Sequence, residues 1–125
     1  MAREPFVLLG AAGALLVLSG CTGEPTVSFQ NDVKPILTEY CGECHTGEGS
    51  GVEASGFRVG SYEEVMAGTR FGPVVVPGDA LSSSLYRLVA GEVDESIRMP
   101  HGEVALSEGQ VGTIERWIDQ GAADN

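Results

Sequence analysis

Cys41-Gly42-Glu43-Cys44-His45 is the stretch that decides how this chain is read. Two thiols two residues apart, with an imidazole directly after the second, form the pattern that covalent haem attachment requires. The sulfurs join the two vinyl groups as thioethers, and the adjacent imidazole comes beneath the iron as proximal ligand. One covalent haem c, held by Cys41 and Cys44 and ligated by His45, is the expected cofactor. Other uses of the motif fit less well. A thioredoxin-like redox pair needs a βαβ frame, and no strand-helix alternation runs through this sequence. A structural zinc site needs four ligands, and outside the motif the chain offers only Cys21 and His101.

Upstream, Arg3 gives a short basic start and Phe6 to Val17 an apolar run too short for a comfortable transmembrane helix; Leu18-Ser19-Gly20-Cys21 follows at once. This resembles a bacterial lipoprotein signal, which implies cleavage before Cys21 and lipidation of that residue. The expected organisation is a signal peptide over 1–20, a lipidated tether over 21–27 and one domain over 28–125. The mature protein is then anchored to a membrane in the bacterial cell envelope, with its domain in the periplasm or otherwise outside the cytoplasm. An uncleaved signal anchor or a plain secretory peptide is the competing interpretation, and both still export the domain. Of three cysteines, one goes to lipid and two to haem, so none remains for a disulfide.

About a hundred residues make a marginal core, which a large apolar cofactor would complete. The pattern is helical with long loops. Ser28 is placed to cap a helix running through Phe29, Val33, Ile36, Leu37 and Tyr40 into the haem motif, with Pro35 as kink or restart. Thr46 to Gly60 reads as a Gly/Ser loop with Phe57 and Val59 facing inward. Ser61-Tyr62-Glu63-Glu64 has capping-box spacing and opens a short helix that Gly68 ends. Phe71 to Val76 is extended in character and closes in a Pro77-Gly78-Asp79 turn. Ser82 or Ser83 caps the next helix, which stops at Gly91. Ser107-Glu108-Gly109-Gln110 repeats the box before an apolar face of Val111, Ile114, Trp117 and Ile118, ended by Gly121. First and last helices are expected to pack together, with Trp117 at their crossing and its indole reaching a polar group near the haem.

In that order the elements resemble the class I c-type cytochromes, and more closely the single-haem planctomycete-type cytochrome c domain. Besides the haem motif, the resemblance rests on Phe29-Gln30-Asn31-Asp32-Val33-Lys34-Pro35-Ile36-Leu37, Val76-Pro77-Gly78-Asp79 with Ser84-Leu85, Arg98-Met99-Pro100, and Trp117-Ile118-Asp119-Gln120-Gly121-Ala122. It departs at His101, where such domains commonly carry a second proline. The resemblance implies an all-α, cytochrome c-like fold around one haem, with Met99 as distal ligand on the loop before the last helix. A thioether favours reduced iron and raises the potential. Met99 packing as an ordinary loop methionine, or His101 taking its place on the iron, stays open. Met66 suits the core, while Arg58 and Arg98 are placed to meet haem propionates or simply solvent.

Acidic residues number 18 against 7 basic ones, and loss of the signal removes one of each (Arg3, Glu4), leaving the net at −11. Nucleic acid is excluded as a partner on charge. Glu39, Glu43, Glu48 and Glu53 surround the motif in sequence, a rim able to steer a basic redox partner; a merely soluble acidic surface is the plainer interpretation. Three roles follow: a membrane-tethered one-electron carrier without enzymatic activity of its own, the haem subunit of a larger membrane oxidoreductase, or a haem sensor, which requires Met99 off the iron.

Overall fold

Ser28 starts the fold by accepting from the Asn31 N–H at 3.1 Å while donating to the Asn125 carbonyl at 2.7 Å. The computed structural model describes residues 1, 23–102 and 104–125, so the signal segment and Cys21 lie outside the described residues. From the Ser28 cap the chain makes one wide π turn, Phe29–Val33, and resets as α1, Lys34–His45. Pro35 sits at the start of α1, where its missing N–H costs no helical bond, so the proline restarts the helix and does not kink it.

Four further helices follow: α2 (Ser50–Ser55), α3 (Tyr62–Ala67), α4 (Ser84–Ala90) and α5 (Glu108–Asp119), with a single 3-10 turn at Glu95–Ile97. Among the described residues the only strand-like pairing is one antiparallel bridge, Thr69 with Gly72, so the fold is all-α. No described helix is long and apolar enough to cross a membrane.

The first and last helical segments meet as expected, but through the π turn. Phe29 lies 5.3 Å from Trp117, and Tyr62 closes the cluster at 5.3 Å from Phe29 and 6.5 Å from Trp117. All three rings are edge-on or tilted, the geometry aromatic quadrupoles prefer. The Trp117 indole donates to the Ala123 carbonyl at 3.0 Å, which corrects the expectation of a polar partner near the haem: the chain after α5 turns back over the ring. Leu37, Val59, Val65, Ile114 and Ile118 complete the buried core, with Met66 packed against it.

Three local details differ from expectation. The segment 46–60 contains α2, opened at Gly49 and closed by Gly56 at φ +79°. Its end is held from a distance: Arg70 Nη2 donates to the Glu53 carbonyl at 2.6 Å, taking over a carbonyl that a six-residue helix leaves unpaired. At Ser61 only half of the capping box forms, with Ser61 Oγ accepting from the Glu64 N–H while the Glu64 carboxylate lies over Gly60. Ser83 begins α4 without capping it. Its fully buried hydroxyl accepts from Val76 N–H at 2.8 Å and donates to the Asp79 carbonyl at 2.8 Å, locking the 76–79 turn. At α5 the box is complete, with Ser107 and Gln110 bonded reciprocally.

Candidate functional site

α1 carries Cys41, Cys44 and His45 at its C-terminal end, and they border one cavity of about 660 Å³. That volume lies within the roughly 300–1,000 Å³ range of cofactor pockets. α2 contributes Ser50, Gly51, Ala54 and Ser55; α4 contributes Leu85, Leu88 and Val89; Val74 and Phe57 add further apolar lining. The loop after α4 brings Met99, Pro100, His101 and Val104 to the same cavity. The motif and both candidate distal ligands therefore share one space, although 54 residues of sequence separate His45 from Met99.

His45 is the best-determined group there. Its Nδ1 is 3.0 Å from the Phe57 carbonyl, which can only accept, so Nδ1 carries the proton. In the neutral ring Nε2 then holds the lone pair a metal needs, an orientation characteristic of metal-binding histidines. The Phe57 ring stands edge-on to the imidazole at 5.3 Å, and the Val59 N–H donates to the His45 carbonyl at 3.0 Å. Phe57 and Val59, expected to face inward, are buried, and the carbonyl of Phe57 is the site group that side-chain patterns could not announce.

Cys41 is half-buried, Cys44 exposed, and the two are not bridged. Burial, and secondarily the neighbouring Cys44, pushes the Cys41 pKa up to about 11, so its sulfur is a protonated thiol at neutral pH. Met99 is half-buried and its N–H donates to the Leu88 carbonyl at 3.3 Å, tying the loop back to α4; His101 is exposed. No cluster of three or more His, Cys, Asp or Glu side chains suited to a bare metal ion occurs among the described residues. An apolar cavity with two thiols on one helical turn, and an imidazole whose lone pair is free, fits a haem. It does not fit a zinc ion.

Arg58 donates to the Gly47 carbonyl at 2.6 Å and the exposed Arg98 side chain lies beside Gly91; neither residue lines the cavity. Of the four glutamates expected to form a rim, Glu39 and Glu43 line the cavity; Glu48 and Glu53 do not.

Residues 41–103, just over half of the chain, match the family model described as Planctomycete cytochrome C. The matched span begins at the first thiol and includes α2, α3, α4 and the Met99 loop. No curated protein and no solved structure matches the chain.

Proposed function

Because this chain belongs to the planctomycete cytochrome c family, whose domain binds haem c and serves haem-based electron transfer, we propose that it is a one-electron carrier with a single covalent haem, tethered to a membrane of the cell envelope through lipidated Cys21. The observation that carries this reading is the shared cavity of Cys41, Cys44, His45 and Met99. Cys41 and Cys44 would hold the haem as thioethers, each sulfur joining one vinyl carbon and its hydrogen the other, so that nothing is released. His45 would hold the iron through Nε2, with Nδ1–H kept on the Phe57 carbonyl. Met99 Sδ, a soft donor, would be the second ligand, in preference to exposed His101.

When bound, the haem supplies an iron that alternates between ferrous and ferric states, exchanging one electron at a time. The chain's own part is to set the balance and keep the reaction clean. Val74, Leu85 and Val89 give the cavity an apolar wall, and an apolar site with a thioether would favour the less charged, ferrous state. With His45 and Met99 both holding the iron, no position would be left for oxygen or peroxide, which would favour electron transfer over catalysis or sensing. Glu39 and Glu43, beside the cavity, suit a basic redox partner. Standing membership in a larger oxidoreductase is the second reading, which the acidic cavity edge of Glu39 and Glu43 would serve equally. Gel filtration of the native protein distinguishes a lone carrier from a haem subunit.

The test is the absorption spectrum of the matured domain in both oxidation states, with and without carbon monoxide. Low-spin c-type bands, a far-red methionine band and no response to carbon monoxide are expected. Met99→Ala should abolish the far-red band, lower the potential and admit carbon monoxide to the ferrous protein, whereas His101→Ala should leave all three unchanged. An unaltered spectrum in Met99→Ala rules out the thioether as ligand.

A further inference from the structure

Gly51 is the second residue of α2, and a Cβ built on it would stand 2.5 Å from Cε1, 2.7 Å from Nε2 and 2.8 Å from Nδ1 of His45. Ordinary van der Waals contact begins at 3.4 Å, so ring or helix would have to yield by about 1 Å to admit one methyl group. Neither yields freely. The imidazole is held at Nδ1 by the Phe57 carbonyl and flanked by the Phe57 ring. α2 is fixed at its start by the Gly49 N–H donating to the Thr46 carbonyl at 3.0 Å, and at its end by Arg70. Nor can the helix start retreat toward α1, because Gly49 already abuts it: a Cβ there would lie 2.5 Å from the Cys44 carbonyl oxygen.

We propose that Gly51 is a positioning residue, whose missing side chain sets the plane of the His45 imidazole and keeps Nδ1–H on the Phe57 carbonyl. The proposal rests on His45 being the proximal ligand. Through that hydrogen bond the ring is made more electron-rich and Nε2 a stronger donor, which favours ferric iron. A methyl at position 51 tilts the ring, loosens the bond and weakens the donor, so the balance moves toward ferrous. Helix formation predicts the opposite sign of importance for this position: glycine is a poor helix former and alanine the best, so a residue chosen for α2 alone would not be glycine.

The experiment compares the haem-loaded wild type with Gly51→Ala and with Glu53→Gly, which weakens the same helix away from the cavity. Ferric electron paramagnetic resonance and a redox titration are read on each. Gly51→Ala should retain covalent haem, shift its low-spin g-values and move its midpoint upward, while Glu53→Gly keeps wild-type g-values. In the diamagnetic ferrous wild type, a nuclear Overhauser contact between the Gly51 Hα and His45 Hε1 protons is expected, and this measurement stands even if Gly51→Ala does not mature. Absence of that contact overturns the proposal, as do g-values unchanged in Gly51→Ala or moved equally by Glu53→Gly. Failure of the underlying ligand assignment looks different: wild type then lacks covalent haem, or His45→Ala leaves the iron signals as they were.

Discussion

The two ends of this molecule are built on opposite economies of contact. Around Phe29, Tyr62 and Trp117 the chain is closed on itself. Asn125 Oδ1 accepts from the Phe29 N–H at 2.8 Å, its backbone carbonyl accepts from the Gln30 N–H at 2.9 Å, and Gln120 holds both Val27 and Pro25. Around the cavity the reverse holds: no described residue from Glu92 to Ala105 is buried, and the Met99 loop hangs on one long backbone bond to Leu88 and the Arg98 side chain over Gly91. A protein core excludes voids large enough for a ligand, so a cavity of about 660 Å³ marks a region finished by something other than the chain. One end of the shared core closes on its own side chains, and the other leaves room for a cofactor.

That contrast fails if the cavity end proves independent of the cofactor. The largest effect expected is therefore from the double change Cys41→Ala and Cys44→Ala: covalent haem is lost, and hydrogen exchange in α2 and the 92–105 loop rises to near-unprotected rates while the Trp117 cluster keeps measurable protection. Uniform exchange across both ends would erase the distinction. Next, Trp117→Ala removes the centre of the self-sufficient end and should cost about 3–5 kcal/mol in denaturant unfolding, yet leave the absorption spectrum of the folded protein unchanged. Ser107→Ala breaks the capping box that starts α5 and should cost about 1 kcal/mol, again with no spectral change. The smallest effect belongs to the exposed loop. Hydrogen bonds from the Ser96 hydroxyl and then the Ser96 N–H hold the Asp94 carboxyl below its usual pKa of 3.8, so its contribution is present above that value and fades as pH falls through the lower folded one. Asp94→Asn should flatten that acid-side change in the loop's proton shifts without altering the midpoint near neutrality.

What the sequence made legible follows from how local each cause is. Ser28, Ser107 with Gln110, and the glycines at 68 and 91 act within one turn, and each marks a helix end where it was expected. The two thiols and His45 share a turn, so their common placement was also readable; Met99 came from the resemblance, and the structure brings it to the same cavity. The rest depends on partners far along the chain. α2 looked like a loop because its composition is poor for a helix, and the group that completes its end, Arg70, arrives from 17 residues away. Ser83 looked like a cap because nothing nearby showed that the turn at Val76 to Asp79 would claim its hydroxyl. The Phe57 carbonyl and Gly51 were invisible for a further reason: one acts through its backbone and the other through an atom it lacks.

The bonds from Gln120 to Val27 and Pro25 carry a last consequence for the anchor proposed at Cys21. They hold the chain against the folded body from Pro25 onward, so only four peptide units span from that point to the lipid-bearing residue. Fully stretched, such a leash reaches about 14 Å, less than the width of a domain whose radius of gyration is itself about 13 Å. Were Cys21 lipidated as proposed, a body so closely held would roll along the bilayer and not swing away from it. Its search for donor and acceptor would then become diffusion in two dimensions, confined to proteins that present their own redox centres at the same low altitude above the lipid.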